Sequence, residues 1–87
     1  MRFRTGKFHA VIGKYYTIKW IDTYDDKRII VEGIVRINRK DGNYPTYLLE
    51  VVSLKENPPT PYTYAVGNRF WMDVNDVAKY CKLHETQ

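Results

Sequence analysis

The chain has 87 residues, a formal net charge of +4 and a single cysteine, Cys81. This length predicts one domain over residues 1–87 with one modest core, and no deep, enclosed active-site cleft. A single cysteine excludes an intramolecular disulfide and a cysteine-rich metal site, so we expect a cytoplasmic protein. No stretch reaches the ~20 apolar residues of a membrane span, and the basic start is not followed by an apolar run, so neither a membrane partner nor a secretory signal is expected.

The positive charge is concentrated near the beginning of the chain. No acidic residue precedes Asp22, whereas five basic residues do: Arg2, Arg4, Lys7, Lys14 and Lys19. The rest of the chain has nine basic and ten acidic side chains. Concentrated charge of this kind is typical of a contact with nucleic acid or with an acidic protein surface. A solvated basic arm without a partner is the plain alternative.

The first elements are an arm and a strand. Residues 1–13 are predicted to be a basic arm or a short strand, and residues 14–21 a strand rich in β-branched and aromatic side chains. In this strand Tyr16, Ile18 and Trp20 share one face because side chains alternate along a strand. The polar residues that follow predict a connection to the next strand.

The longest pattern is a hairpin between Lys27 and Leu54. Two long strands flank Asp41-Gly42, a pair that favours the positive φ values of a tight hairpin turn. One face of the first strand is predicted to face the core, and its members are Ile29, Val31, Gly33, Val35 and Ile37. Gly33 has no side chain to pack, which indicates a bend or bulge in a strongly curved sheet.

The remaining segments are a proline-rich loop, a short strand and a helix. Three of the four prolines fall in residues 55–62, which predicts a loop. Residues 69–73 predict a strand in which Trp71 points away from the other large apolar side chains. Asp73 is a helix N-cap by its position, and the apolar spacing that follows predicts a helix over residues 74–83.

This succession of elements resembles the small SH3-like barrels. We therefore predict an all-β fold, a strongly bent five-stranded barrel over residues 14–73 with a short C-terminal α-helix. An oligonucleotide-binding (OB) type of barrel is the main structural alternative. The resemblance is one of pattern, since the residues of the peptide-binding SH3 motif do not occur here in order.

Few residues suit catalysis. Cys81 and His84 would share a helix face, but neither an orienting group nor an oxyanion hole accompanies them, and a buried thiol is the simpler interpretation. Glu32 and Glu50 lie on the two arms of the hairpin and would perturb each other's pKa if they faced one another. The glycines are isolated, so no phosphate-binding loop is present. We expect a protein that is not an enzyme and uses neither a metal nor a cofactor.

Cations beside aromatic residues favour nucleic acid as the partner, because cations hold the phosphate backbone while rings stack on bases. The candidate contacts are Arg2, Arg4, Lys7, Lys14, Lys19, Arg36, Arg39, Lys40, Tyr44, Arg69 and Trp71. The alternative is a protein-binding accessory or inhibitory factor, of the kind that phages and mobile elements encode. An exposed strand edge could also pair with a second copy and form a homodimer.

Overall fold

The structure is a computed structural model that describes residues 9–56 and 64–84. Five antiparallel strands form one sheet, and a short helix lies between the fourth and fifth strands in the chain. The elements are β1 (Tyr15–Tyr24), β2 (Lys27–Lys40), β3 (Thr46–Leu54), β4 (Arg69–Asp73), α1 (Val74–Tyr80) and β5 (Cys81–Leu83). A mainly β fold with a short C-terminal helix is thus confirmed.

The sheet is not closed into a barrel. Its order is β4-β3-β2-β1-β5, so β4 and β5 are the two edges and do not pair with each other in the described residues. Helix α1 directly joins these edge strands, and β5 has only three residues, all of which pair with Tyr16–Ile18 of β1. The predicted number of strands, five, is correct, but the fifth strand is β5 at Cys81–Leu83 rather than a segment within residues 14–73, and the strands do not close into a barrel.

The sheet is nevertheless strongly curved. Trp20 of β1 and Phe70 of β4 stack with ring centroids 6.0 Å apart, although β2 and β3 lie between their strands. In a flat sheet three strand spacings would separate them by about 14 Å. Tyr64 meets both rings edge-on, and its hydroxyl donates a 2.6 Å hydrogen bond to Asp22 Oδ2. The concave face therefore encloses the core.

The core contains the side chains that alternation assigns to the concave face. On β2 these are Ile29, Val31, Val35 and Ile37, and on the other elements Tyr16, Ile18, Tyr47, Leu49, Val51, Phe70, Met72, Val77 and Cys81. Residues 9–13 form no strand, but Ala10 and Val11 donate backbone hydrogen bonds to the hydroxyls of Tyr47 and Tyr16. The part of the predicted arm that is described thus packs against the sheet.

The two hairpin turns differ from the prediction. The β1–β2 turn has two residues, Asp25 and Asp26, with φ values of 54° and 62°, as a primed hairpin turn requires. Gly42, in contrast, does not have a positive φ. The carboxylate of Asp41 closes the longer β2–β3 connection by accepting hydrogen bonds from the backbone N–H groups of Asn43 and Tyr44. These hydrogen bonds lower the pKa of Asp41.

Gly33 occupies the bend that the sequence predicted. The register of β2 and β3 shifts between Ile34 and Val35, where Val52 is the extra residue. A Cβ atom at Gly33 would overlap the carbonyl oxygen of Ser53 and would lie 2.9 Å from the Cα of Leu54. Only glycine permits this close approach of two backbones.

Helix α1 begins as predicted but ends earlier. The carboxylate of Asp73 accepts a hydrogen bond from the Asn75 backbone N–H, as an N-cap does. The helix stops at Tyr80 rather than Leu83 because Cys81 adopts an extended conformation and pairs with Ile18. The cross-strand hydrogen bonds of β5 replace the last helical turn. In the described residues, no helix has the length and apolar composition needed to span a membrane.

Candidate nucleic-acid interface

The convex face of the sheet, opposite the core, brings one tyrosine and three charged residues from four strands into one row. Tyr15 lies opposite Arg36, Arg36 opposite Glu50, and Glu50 opposite Arg69. Three strand spacings separate the first and last members, or about 14 Å. We call this row, Tyr15-Arg36-Glu50-Arg69, the arginine row.

A second bulge adds Arg39 to the same face. The register shifts between Ile37 and Arg39, so that both Asn38 and Arg39 oppose Leu48 of β3. Regular alternation would place Arg39 beside Ile37 on the core face. The extra residue instead turns the Arg39 side chain outward, on the same side of the sheet as Arg36.

Trp71 lies next to Arg39 because it also pairs with Leu48, from the β4 side. The guanidinium carbon of Arg39 is 5.5 Å from the centre of the Trp71 ring, within the range of a cation–π interaction. The Trp71 side chain remains 44% exposed, while Phe70 and Met72 on either side are buried. We call Tyr15, Arg36, Arg39, Arg69 and Trp71 the arginine–tryptophan patch.

The charges of this patch are only partly neutralised. Arg36 Nη1 lies 3.7 Å from Glu50 Oε1 and donates a hydrogen bond of 3.1 Å to Asn38 Oδ1. Arg39 and Arg69 form no ion pair within the described residues. Two guanidinium groups therefore remain available to an anion. Arg39 lies across β3 from the exposed Trp71 ring, and Arg69 lies two residues before Trp71 on β4.

The other predicted contacts fall into four groups. Lys14 immediately precedes Tyr15 of the patch, and its carbonyl oxygen accepts a hydrogen bond from the Ile37 N–H at 3.1 Å. Lys40 and Tyr44 are exposed at the β2–β3 end of the sheet. Lys19 is on the convex face but lies opposite Glu32, away from the arginine row. Three predicted contacts lie outside the described residues: Arg2, Arg4 and Lys7.

The catalytic alternatives do not assemble. Glu50 lies opposite Arg36, and Glu32 Oε2 lies 3.7 Å from Lys55 Nζ, so the two carboxylates do not face each other. Cys81 is buried, and burial raises the pKa of its thiol to about 12, which disfavours a nucleophilic thiolate. The predicted helical face shared by Cys81 and His84 is absent because this segment is a strand. Within residues 9–56 and 64–84 no group of acidic, histidine or cysteine side chains could hold a metal ion.

Sequence reasoning missed a second group of cations on the convex face. Lys55, Lys79 and Lys82 lie around an open depression that Lys19 also borders. They come from three separate elements of the chain, and only the pairing of β5 with β1 brings Lys82 next to β1. Their spacing in the sequence holds no signal of this arrangement.

Comparisons with known proteins found neither a protein-family model, nor a curated protein sequence, nor a solved structure that matches the chain. A proposal of function therefore rests on the residues and the geometry of the convex face.

Proposed function

We propose that this protein binds single-stranded nucleic acid through the arginine–tryptophan patch and has no catalytic activity. The observation that supports the proposal best is the register of the sheet, which aligns Arg36 and Arg69 in one row and sets Arg39 against Trp71 in the next. Guanidinium groups bind phosphate oxygens in a bidentate manner, and an exposed indole stacks on bases of any sequence.

A single strand suits the patch better than a duplex. The rings of Trp71 and Tyr15 are 44% and 43% exposed on the convex face, where unpaired bases could stack on them. In a duplex the faces of the bases are stacked on one another, so a duplex would contact only the basic side chains of the patch. The ring contacts therefore favour an unpaired strand.

We further propose that the curved sheet is an open form of the SH3-like arrangement. Consecutive antiparallel strands β1 to β4, a short helix and a last strand that returns to pair with β1 support this assignment. The convex face then serves as the binding surface of the curved sheet.

Fluorescence titration tests the proposed function, because stacking on Trp71 should quench its emission. We would titrate the protein with a thymidine oligonucleotide at about 50 and about 200 mM salt, since phosphate contacts weaken steeply with salt. Arg39→Ala combined with Arg69→Ala should lower the affinity about thirtyfold or more, at about 1–3 kcal/mol for each lost charge-assisted contact. Trp71→Ala should also lower the affinity.

The matched control removes two positive charges from the other end of β2. Lys27 and Arg28 are exposed, and they pair with Tyr24 and Thr23 rather than with the patch. Lys27→Ala combined with Arg28→Ala should leave the affinity within about twofold. The absence of a salt-sensitive response at low salt would overturn the proposal, and so would an equal loss in both double variants.

A protein partner at the free edge of β1 is the second candidate function. Ile21 and Ile30 form a cross-strand pair on the convex face and are 48% and 57% exposed. Because β5 pairs only with Tyr16–Ile18, the outer edge of residues 19–24 has no strand partner in the described chain. An exposed edge beside apolar side chains favours the addition of a strand.

Light scattering over a range of protein concentrations tests this candidate for a second copy of the chain. A dimer mass that returns to the monomer mass in the Ile21→Lys variant would support pairing along β1. A monomer at every concentration would exclude a homodimer through this edge.

A further inference from the structure

The convex face has a second basic region next to the arginine row. An open depression of about 600 Å³ lies between this face and the end of α1, and four lysines border it: Lys19, Lys55, Lys79 and Lys82. Among the described residues that border it, Glu32 is the one acidic side chain. The region defined by these four lysines is called the lysine depression.

The charge of the lysine depression is mostly unpaired. Glu32 neutralises Lys55 across 3.7 Å, whereas Lys19, Lys79 and Lys82 form no ion pair within the described residues. Ammonium groups that surround an open space repel one another, and a bound anion relieves that repulsion. The depression is therefore electrostatically suited to a ligand with more than one negative charge.

An aromatic ring also borders the depression. Lys79 Nζ lies 5.3 Å from the centre of the Tyr80 ring, an arrangement that repeats that of Arg39 over Trp71. Each basic region of the convex face thus has one cation against one aromatic ring. This is the combination that holds both the phosphates and the bases of a single strand.

The two regions are continuous along the strands. Two residues beyond Tyr15 and Arg36, Thr17 lies opposite Ile34, and Lys82 lies opposite Thr17 from the β5 side. Two residues farther along β1, Lys19 follows. Each step of two residues is about 6.7 Å, so the lysine depression begins about 7 Å from the arginine row. The row of Lys82, Thr17 and Ile34, where the depression begins, contains no acidic side chain among these described residues.

We propose that the lysine depression binds phosphate groups of the same nucleic-acid strand that the arginine–tryptophan patch holds. The strand then runs along β1 and β2, from Trp71 at one end of the convex face to Tyr80 at the other. From the level of Arg39 to the level of Lys19 there are three steps of two residues, or about 20 Å. This inference rests on the proposed function and extends its site.

The extended site predicts that affinity depends on oligonucleotide length. A short strand fills the arginine–tryptophan patch alone, whereas a longer one also reaches the lysine depression. We would therefore compare thymidine oligonucleotides of about 4 and about 12 nucleotides, both within the site sizes of small single-strand-binding barrels.

The test variant combines Lys79→Ala with Lys82→Ala, and the control combines Lys27→Ala with Arg28→Ala. The test variant should bind the longer oligonucleotide about tenfold more weakly than the parent protein does, and the short one within about twofold. For the longer oligonucleotide, the slope of log affinity against log salt concentration should become shallower by about 1.4 in this variant. Each of the two lost phosphate contacts removes about 0.7 from the slope. The control should leave both affinities within about twofold.

The outcomes separate the two proposals. Equal parent affinity for both lengths, with no effect of the Lys79 and Lys82 substitutions, would overturn the extended site and leave the arginine–tryptophan patch in place. An equal loss for both lengths would also overturn it, because the lysines would then act by long-range attraction alone. Binding of neither oligonucleotide at low salt would overturn both proposals.

Discussion

The two hairpins of the sheet are built differently although they share β2. The β1–β2 hairpin has a two-residue turn and ten consecutive cross-strand pairs without a register shift. The β2–β3 hairpin has a longer connection and two register shifts, one beside Gly33 and one at Asn38. The regular hairpin is an uninterrupted ladder, whereas the irregular one contains the close backbone approach at Gly33 and the bulge that turns Arg39 to the convex face.

The two register shifts affect both the curvature of the sheet and the convex face that we propose to bind nucleic acid. The shift beside Gly33 bends the sheet over the core, and the shift at Asn38 brings Arg39 to the convex face. Bulges increase local twist and redirect side chains. The irregular hairpin therefore has both the position most sensitive to a small substitution and the cation that meets Trp71.

The largest expected effect is on the bend itself. Gly33→Ala places a Cβ atom against the backbone of Ser53 and Leu54, and main-chain atoms cannot move aside as a flexible side chain can. We expect the free energy of unfolding to fall by about 3 kcal/mol. Chemical denaturation followed by circular dichroism measures this loss.

Gly42→Ala is the matched control for the bend, because it adds the same methyl group to the same hairpin. Nothing lies within 4 Å of a Cβ atom at this position, and the φ angle is not positive. Its free energy of unfolding should stay within about 0.5 kcal/mol of that of the parent protein. Equal effects of the two substitutions would contradict a close backbone approach at Gly33.

Alkaline pH should lower the free energy of unfolding through Cys81, the buried residue of β5. Burial raises the pKa of the Cys81 thiol from 9.0 to about 12. Above pH 9.0 the unfolded chain loses this proton while the folded protein keeps it, so stability falls as the pH rises through this window. One pH unit above the unfolded value corresponds to about 1.4 kcal/mol.

Cys81→Ala isolates this effect from the titration of the tyrosines and lysines. Below pH 9.0 the variant should be less stable than the parent protein because a buried side chain is truncated. The difference in unfolding free energy should then narrow as the pH rises, since only the parent loses the thiol contribution. Urea denaturation of both proteins at several pH values measures this difference. A difference that stays constant as the pH rises above 9.0 would contradict the prediction.

The regular parts of this fold could be predicted from the sequence. Alternation identified Ile29, Val31, Val35 and Ile37 as core residues, and it separated the exposed Trp71 from its buried neighbours. These inferences succeed because a half-buried strand imposes a period of two on its side chains. The mid-strand glycine also marked the bend correctly, since a strand rarely contains glycine without a backbone reason.

The irregular features could not be predicted in the same way. Asparagine at position 38 does not by itself mark the extra residue of a bulge. Strict alternation therefore places Arg39 on the wrong face of the sheet. In the two hairpin turns, the positive φ values fall on Asp25 and Asp26, although Asp41-Gly42 is the stronger turn signal. The end of α1 depends on a strand far away in the sequence, as does the lysine depression. The bulge at Asn38, the end of α1 and the lysine depression are decided by pairing between strands, which the local sequence does not show.

The hydrogen bond between Tyr64, in the segment before β4, and Asp22 of β1 should contribute less to the free energy of unfolding than the Cys81 thiol does. The Tyr64 hydroxyl donates a 2.6 Å hydrogen bond to Asp22, and burial together with this carboxylate raises the pKa of Tyr64. Tyr64→Phe keeps the ring contacts with Trp20 and Phe70 and removes only the hydroxyl. We expect a loss of about 1 kcal/mol of unfolding free energy.

Tyr15→Phe is the control for this hydrogen bond, because Tyr15 is 43% exposed and its ring lies on the convex face. Its unfolding free energy should stay within about 0.5 kcal/mol of that of the parent protein. Denaturation curves followed by tryptophan fluorescence measure both variants. An unchanged stability in Tyr64→Phe would mean that this bond does not hold the two segments together.

The smallest expected effect concerns the turn of the regular hairpin. Asp26 has a φ of 62°, a conformation that costs most residues about 1–2 kcal/mol, that aspartate tolerates better, and that glycine adopts freely. Asp26→Gly should therefore raise the free energy of unfolding by about 0.5 kcal/mol, whereas Asp26→Ala should lower it by a similar amount. Thermal unfolding of both variants shows whether the two substitutions change the stability in opposite directions. Because both substitutions remove the same charge, two shifts in the same direction would show that charge, rather than the left-handed backbone of the turn, determines the stability at this position.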